Sequence, residues 1–433
     1  MNNIFQTFVL IVCGFVGVIG VLIFAGYIPL PGGNNVSYAG NLTLWGPIPD
    51  DEMSIVVSAF NEEFKDKIFL SYKYVSPESF ETDLVSELAR GLGPDLVIFP
   101  QSLILKQQDK LYQIPYTFLS EREFKDTFAQ IGELFLMKNG SLALPLYVDP
   151  VVMYWNRDLF ANAGIASYPK TWVEFLKLTD LLTKKDNKGN VFQSTVAFGT
   201  YDNVSNAKDI LLTLMLQSEA HLVDKKSINS GEEFFDVSIE QSMSAIESVV
   251  NFYTEFANQS KTAYSWNSSM PLSKKAFEAG NLAVYFGKAS EYYDIKRNNP
   301  HLNFDVAIIP QRDKSTNKIT FGEMNGLAVL KNSSNINSAM SVVGFLTDGA
   351  YGKMFAKAVS LPSLRNDVLS VSNPDPVFSI FNQSAIISKG WYDPNPVESD
   401  KIFGGIINSV LSGRMVASEA INEAKNILKQ YVK

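Results

Sequence analysis

Hydrophobic positions after about residue 40 switch repeatedly between strand spacing and helix spacing. Residues 41–45 (NLTLW) alternate at Leu42 and Leu44, which is typical of a strand. A turn (GPIPDD) follows, and the next apolar positions recur three or four residues apart, as in an amphipathic helix: Met53, Val56, Val57, Phe60 and Phe64. The chain after residue 40 therefore begins with a strand, a turn and a helix.

The same alternation continues to about residue 100. Residues 68–75 (IFLSYKYV) predict a second strand, and the helix after it ends at Gly91, a natural C-cap. Residues 94–100 (PDLVIFP) form a short apolar run of the kind buried in a parallel sheet. Strands that alternate with helices indicate the α/β class with right-handed crossovers.

Later segments repeat these patterns. Thr171 and Glu174 form a capping box before the helix of residues 169–186. Residues 276–287 (AFEAGNLAVYFG) predict the end of a helix, a glycine at Gly280 and a buried strand. A further strand is predicted at residues 304–311, and amphipathic helices at 337–358 and 417–432.

The N-terminus has the pattern of a membrane segment. Between Ile4 and Leu30 the chain is uncharged, and its first charged side chain is Asp50. About 25 such residues span a hydrocarbon core of roughly 30 Å, which predicts a transmembrane anchor over residues 1–30. A cleaved signal is the alternative, although it normally has a positive start and a shorter apolar stretch. Residues 31–41 have linker composition.

Composition limits the function. The chain has 433 residues, enough for two or three domains, and its net charge of −8 argues against nucleic acid as a partner. Two histidines and one cysteine leave little for a metal site, so we expect no metal and no cofactor. A Ser/His/Asp triad needs His221 or His301, and neither lies near a G-x-S-x-G motif, so we expect no catalytic residues.

One stretch raises a specific question about ligand binding. Residues 144–160 (LPLYVDPVVMYWNRDLF) are mostly apolar, yet Asp149 stands at their centre before Pro150. A buried carboxylate without a partner costs several kcal/mol. Asp149 is therefore either a turn residue or a group held at the edge of a cleft.

The ordered set of these segments resembles the oligosaccharide-binding extracellular solute-binding proteins (family 1) of ABC importers, which include maltose-binding proteins. The resemblance covers about residues 42–432, and its most specific part is residues 154–160 (YWNRDLF) followed by 169–172 (PKTW). The other segments that carry it, in order, are LTLWG, GPDLVIF, AFEAGNLAVYFG, FDVAIIP, NGLAVLKNSSN and AMSVVGFLTDGAYGKMF.

The resemblance implies a two-lobed periplasmic-binding-protein-like fold of type II, with hinge-connected lobes and a ligand cleft. It implies one lobe from residues 42–147 and 305–345, and a second from 150–301 and 346–433. Residues 144–160 are then expected to form a strand that leaves one lobe, a crossing near Asp149 and Pro150, and a strand that enters the other. A monomer with its soluble part outside the cytoplasm is expected, held at the cell membrane by its N-terminal helix and delivering a carbohydrate to ABC permease subunits. Two alternatives stay open: a glycan-binding surface sensor or adhesion protein, and the same fold with a non-sugar solute.

A sugar site needs polar side chains for hydroxyl groups and aromatic surfaces for the C–H face of the ring. Asp149 matches a position where the family places an acidic residue on a sugar hydroxyl. The full set of candidate ligand-binding residues is Trp45, Gln101, Tyr147, Asp149, Asn203, Asn206, Ser290, Tyr292, Glu323, Asn325 and Trp391.

Each candidate has a structural alternative. Tyr147 is equally compatible with a hydrophobic core, and Asn203 and Asn206 with helix capping. A core position is also the alternative for Trp45, at the end of the first strand. Trp391 stands among Gly and Pro residues, which favours an aromatic platform for the ligand over a core position, so its removal is expected to leave the fold largely intact. Lys288, Ala289 and Ser290 replace the aromatic-containing run that the family usually has there, and Tyr292 is a possible substitute for the missing ring. Glu323 and Asn325 are expected in a loop that faces the cleft.

Overall fold

A large mixed sheet organises the computed structural model, which describes residues 40–65, 67–227 and 233–432. The strands of the described residues are β1 (Gly40–Gly46), β2 (Ile68–Tyr74), β3 (Leu96–Pro100), β4 (Leu111–Tyr112), β5 (Ile114–Pro115), β6 (Leu136–Met137), β7 (Gly140–Ser141), β8 (Leu144–Asn156), β9 (Lys184–Lys185), β10 (Val191–Val196), β11 (Val223–Ser227), β12 (Glu233–Val237), β13 (Leu282–Lys288), β14 (Phe304–Ala307), β15 (Thr320–Leu330) and β16 (Ser388–Lys389).

Helices cover this sheet and connect its strands. Within the same residues they are α1 (Asp50–Glu63), α2 (Phe80–Ala89), α3 (Ile104–Gln107), α4 (Glu121–Thr127), α5 (Arg157–Asn162), α6 (Trp172–Leu182), α7 (Ala207–Gln217), α8 (Met243–Glu255), α9 (Ser273–Glu278), α10 (Tyr292–Asn298), α11 (Ile336–Leu346), α12 (Gly349–Val359), α13 (Asn366–Leu369), α14 (Pro376–Ile386), α15 (Pro396–Leu411) and α16 (Ala417–Leu428). Short 3₁₀ turns join several of them, among them Gln101–Leu103 and Ala289–Glu291.

The first strands form the parallel unit that the sequence predicts. β1 pairs in parallel with both β2 and β3, and α1 buries Met53, Val56 and Phe60 against them. α2 ends at Gly91, whose φ of +71° favours glycine. The amide of Leu92 donates to the carbonyl of Glu87, which closes a Schellman motif. The predicted C-cap is therefore confirmed.

β8 is a single strand of 13 residues that changes neighbours along its length. Its first half pairs with β15, and its second half pairs with β13 and β14. Pro150, which cannot donate a hydrogen bond, lies where these neighbours change. The sequence suggested two strands joined by a crossing near Asp149 and Pro150. The structure corrects this, because the strand runs through without a break.

The core beyond Pro150 is unusually aromatic. Phe198 packs on Phe286 with ring centroids 5.2 Å apart, and on Phe256 at 5.3 Å. α6 begins at the predicted cap, where the amide of Glu174 donates to Thr171 Oγ1 at 3.2 Å. This core fixes β10 and β13, and thus the end of β13 that carries Lys288.

The predicted helical stretch of residues 337–358 is divided in two. α11 ends before Thr347, and Asp348 caps α12 by accepting from the amides of Ala350 and Tyr351 at 2.8 and 2.9 Å. α12 packs on α1, where the Tyr351 hydroxyl donates to Glu63 at 2.8 Å.

The predicted lobe boundaries stay predictions, but two observations limit where they can fall. β14 pairs with residues 153–156 of β8, on the edge of β8 opposite to β13, and α12 packs on α1 near the start of the chain. Across residues 40–65, 67–227 and 233–432, no helix combines the length and apolar character that a membrane span requires. The predicted anchor over residues 1–30 lies outside the described residues.

Candidate functional site

Two acidic side chains face each other where β8 and β15 pair. The register places Asp149 directly opposite Glu323, and Tyr147 opposite Asn325. Directly opposed residues of an antiparallel pair lie on the same face, and residues two positions apart on a strand share that face. Like charges opposite each other are unfavourable, so this arrangement needs a cation close by.

Lys288, at the end of β13, supplies that cation. Its Nζ forms an ion pair with Glu323 and lies 3.4 Å from Asp209 Oδ2. Burial alone would lower the pKa of Lys288, but Glu323, Asp209 and Asp149 together hold it well above its usual range. We call Lys288 with these three carboxylates the Lys288 cluster.

Asp149 is the least well compensated carboxylate of the Lys288 cluster. Its Oδ1 accepts the backbone N–H of Ser290 at 3.0 Å. Burial raises the pKa of Asp149 to about 6, although Lys288 and the hydrogen bonds from Ser290 act in the opposite direction. Glu323 behaves differently, because Lys288 lowers its pKa despite burial.

A second ion pair lies at the start of α7. Lys208 Nζ contacts Asp393 Oδ2 at 2.6 Å and Ser399 Oγ at 2.7 Å. Asp209 follows in the first helical turn, where a carboxylate is favoured by the helix dipole, yet burial still raises its pKa. Burial likewise raises the pKa of Asp393, against the effect of Lys208.

These groups surround a cavity of about 190 Å³. Its lining comes from the turn after β3, the first turn of α7, the ends of β13 and β15, and the segment before α15: Gln101, Ser102, Lys208, Asp209, Lys288, Phe321, Glu323, Trp391, Asp393 and Pro396. Protein atoms surround the Glu323 side chain, yet about 36% of its surface is exposed. The exposed part lines the cavity. The cavity thus combines charged groups with two aromatic rings.

Gln101 is a polar residue of the cavity wall whose side chain has an unused hydrogen-bond acceptor. It is 2% exposed, and its Nε2 donates to the carbonyl of Gly322 at 2.9 Å. Its Oε1 is buried and has no hydrogen-bond partner among the residues that the structure describes. A buried amide oxygen without a partner is costly, so a bound molecule that donates a hydrogen bond there gains by doing so.

Several predicted residues meet at this place. Gln101, Glu323 and Trp391 line the cavity, and Asp149 and Ser290 are hydrogen-bonded to each other beside it. Tyr147 and Asn325 form a cross-strand pair on the same face as Asp149 and Glu323, with Tyr147 only 5% exposed. Glu323 and Asn325 lie in β15 and not in the predicted loop, because this segment pairs with both β3 and β8.

The remaining candidates are engaged elsewhere. Trp45 is buried beneath the Lys73 ammonium group, which lies 4.1 Å from its ring centre. Asn203 Nδ2 donates to the carbonyls of residues 267 and 270, and the Asn206 amide donates to Tyr285 and Glu291.

Tyr292 packs on two phenylalanine rings, at 5.6 Å from Phe304 and 6.1 Å from Phe381. These contacts account for the three polar side chains without a ligand. Ligand contact by Asn203, Asn206 and Tyr292, as by Trp45, stays a prediction.

Sequence reasoning missed most of the charged lining. Lys208, Asp209 and Asp393 were not predicted, and Lys288 was considered only as a replacement for an aromatic residue. One signal was available: Lys208 and Asp209 follow Asn203 and Asn206 in the same polar stretch of sequence, which leads into α7. Asp393 had no comparable signal, because an irregular segment brings it to the cavity.

Within the described parts of the chain, no group of three or more His, Cys, Asp or Glu side chains is arranged to hold a metal ion. The site offers hydrogen-bond acceptors, ion pairs and aromatic walls, which suits the binding of an organic molecule.

Solved structures share this architecture at low sequence identity. A cyclo/maltodextrin-binding protein complexed with maltotetraose is 17% identical with a TM-score of 0.72, covering 92% of this chain and 98% of that chain. The sugar-binding protein MalE from Xanthomonas citri is 15% identical with a TM-score of 0.70, covering 90% and 97%. The GacH receptor of Streptomyces glaucescens, solved unliganded and with acarbose, is 15% identical with a TM-score of 0.68, covering 91% and 98%. At this identity the likeness establishes the two-lobed α/β fold.

Sequence comparison gives the family. No curated protein matches the chain. The sequence model for bacterial extracellular solute-binding proteins matches residues 26–353, which is most of the chain. The family match agrees with the expectation of a binding protein, as opposed to an enzyme. It also agrees with the expected soluble part outside the cytoplasm. The chain belongs to the bacterial extracellular solute-binding protein family.

Proposed function

We propose that this chain is the substrate-binding subunit of an ABC importer that captures a carbohydrate between its two lobes. One observation carries the proposal: a cavity lined by polar side chains and the rings of Trp391 and Phe321, located where β15 passes β8. Polar groups bind sugar hydroxyls and aromatic rings cover the C–H face of a sugar. The structural neighbours complexed with maltotetraose and with acarbose support the assignment of ligand class.

Closure of the lobes is the proposed capture step. β8 and β15 both extend across the region of the cavity, and each pairs with different neighbours at its two ends. The cavity of about 190 Å³ is smaller than the roughly 300–1,000 Å³ of typical ligand pockets. Binding of an oligosaccharide therefore requires the lobes to open first, and closure then traps it.

The other parts of the role are proposals of the same kind. The apolar stretch of residues 4–30 supports a tether to the membrane, and the family supports permease subunits as partners. Tethering would keep the binding protein close to its permease and raise the effective concentration there.

Calorimetry and thermal-shift measurements over a glycan panel test the ligand class. We expect the full-length chain in detergent to bind at least one carbohydrate with a Kd of about 1 µM or tighter, equivalent to ~8 kcal/mol. Glu323→Gln is expected to weaken this binding, whereas Glu62→Gln, at a side chain that is 82% exposed, serves as the matched control. Binding of amino acids or metal ions, with no response to any carbohydrate, would contradict the proposal.

A further inference from the structure

The charges around the cavity do not balance. Within the described part of the chain, the carboxylates of Asp149, Asp209, Glu323 and Asp393 are paired with the ammonium groups of Lys208 and Lys288 and with no other cation. Lys208 and Asp393 form a balanced pair, so the excess of two negative charges lies in the Lys288 cluster. Buried charge that is not compensated is unfavourable, and a bound cation would relieve it.

The lysines have little capacity left for an anionic ligand. An ammonium group has three donors, and Lys208 Nζ already contacts Asp393 at 2.6 Å, Ser399 at 2.7 Å and the carbonyl of Pro396 at 3.4 Å. Lys288 Nζ is shared between Glu323 and Asp209, which leaves one of its three donors. An anion at that donor would lie close to both carboxylates, which repel it.

The free capacity of the site consists of acceptors. Gln101 lines the cavity, and its Oε1 is buried and lacks a partner among the described residues, an observation that is independent of the carboxylates. An ionised carboxylate offers about four lone-pair sites. Asp209 and Glu323 each use a small part of theirs on Lys288, so most of their acceptor capacity is open to a ligand.

The pKa directions agree with this imbalance. Burial raises the pKa of Asp149 and Asp209 even though Lys288 opposes the effect. One lysine therefore does not fully compensate two buried aspartates and Glu323. A further positive charge in the cavity would, like Lys288, favour the ionised form of these carboxylates.

An organic cation fits better than a metal ion. The described residues provide no metal-type grouping of ligands, while Trp391 and Phe321 offer apolar surface for a carbon skeleton. A positive group is already tolerated near one of these rings, because Lys208 Nζ lies 5.7 Å from the centre of the Trp391 ring.

We propose that the cavity selects a carbohydrate that carries a protonated amine, with the ammonium group bound by Asp209, Glu323 and Gln101 Oε1 and the sugar ring against Trp391. This inference rests on the proposed carbohydrate-binding function and narrows its substrate class. An ammonium group donates up to three hydrogen bonds, and three side chains that carry acceptors, Gln101, Asp209 and Glu323, line this cavity.

A matched ligand series tests the inference. Titration calorimetry compares the neutral sugar, the 2-amino sugar and its N-acetyl form in the glucose, galactose and mannose series, as monomers and short oligomers, with the uronate as the anionic member. In each series that binds the full-length chain, we expect the amine to bind at least about 10-fold more tightly than the neutral sugar at low salt. High salt should reduce this preference.

Variants assign the preference to its residues. Glu323→Gln and Asp209→Asn should each lower the affinity for the amine about 10-fold more than the affinity for the neutral sugar, and the control Glu62→Gln should change neither. Equal or tighter binding of the neutral sugar or the uronate overturns this inference and leaves carbohydrate binding intact. Failure of every carbohydrate in the panel overturns the proposed function itself.

Discussion

Replacement of Lys288 tests the electrostatic description of the cavity. In Lys288→Met the aliphatic part of the side chain is kept and the ammonium group is lost. Asp149, Asp209 and Glu323 then lack the cation that all three share. Breaking a buried ion pair by removing one partner leaves uncompensated charge, which is strongly destabilising.

The magnitude follows from the geometry. At 3.4 Å, the interaction of Lys288 with Asp209 alone is about 5 kcal/mol at an effective dielectric constant of about 20. Glu323 is 36% exposed, so solvent screens part of its interaction with Lys288. The variant no longer bears the cost of removing the ammonium group from water, which offsets a further part of the lost interaction energy. We expect the free energy of unfolding to fall by about 2–4 kcal/mol at pH 7.

The defect should depend on pH with a definite sign. Lys288 lowers the pKa of Glu323, so this interaction contributes stability above the unfolded pKa and loses it as the pH falls. Lys288 also opposes the raised pKa values of Asp149 and Asp209. Without it, the three carboxylates take up protons more readily in the folded state, so the defect shrinks towards pH 4–5.

Urea unfolding of the full-length chain at pH 7.5 and pH 4.5 measures both effects. Lys106→Met is a matched control, because Lys106 pairs with Glu81 at 2.7 Å outside the cavity and the two side chains are 28% and 29% exposed. We expect this control to lose about 1 kcal/mol or less. If Lys288→Met loses no more free energy of unfolding than the control, or if its loss grows at low pH, Lys288 is not the cation that stabilises the three carboxylates.

Three further predictions concern single positions. Asp149→Asn should raise the free energy of unfolding at pH 8 by about 1–3 kcal/mol and leave it unchanged near pH 4, because burial raises the Asp149 pKa to about 6 against the opposing effects of Lys288 and Ser290. Urea unfolding across this pH range checks it. Trp391→Ala should lower the free energy of unfolding in urea by about 3–5 kcal/mol, since Trp391 is 6% exposed and its ring packs on Phe403 at 6.0 Å. Trp391→Phe should keep the fold and weaken ligand binding in calorimetry. Gly199→Ala should cost at least about 2 kcal/mol in denaturation, because φ is +96° and the new Cβ would lie 2.5 Å from the Ala257 amide, while the control Gly405→Ala has open space.

The early elements follow directly from the sequence because local signals agree with packing there. Leu42 and Leu44 alternate, are fully buried in β1, and the helix after them ends at a glycine that needs its positive φ. Thr171 caps its helix as the capping box predicts. Periodicity and capping are local properties, so one sequence is enough to read them.

The cavity depends on contacts that are distant in sequence, which local patterns do not encode. The register of β8 against β15 places Asp149 beside Glu323, which lies 174 positions later in the chain. Lys208 meets Asp393 with a separation of 185 residues. Periodicity indicates that Asp149 needs a partner, but only the pairing of the strands shows that its neighbours are Glu323 and Lys288.

Trp391 shows the same limit for a single residue. Its surroundings of glycine and proline favour an aromatic platform in the ligand cleft, whose removal would leave the fold largely intact. The structure shows a buried ring that lines the cavity and also packs on Phe403. The residue therefore serves the core and the cavity together, which composition around it does not reveal.

Titration calorimetry of the full-length chain and of Glu323→Gln with the same carbohydrate panel shows whether the cavity captures a carbohydrate. Capture of a carbohydrate in the cavity predicts saturable binding of at least one sugar with a Kd of about 1 µM or tighter, weakened at least about 10-fold by Glu323→Gln. A sugar affinity that Glu323→Gln leaves unchanged, or binding confined to non-carbohydrate solutes, would contradict it.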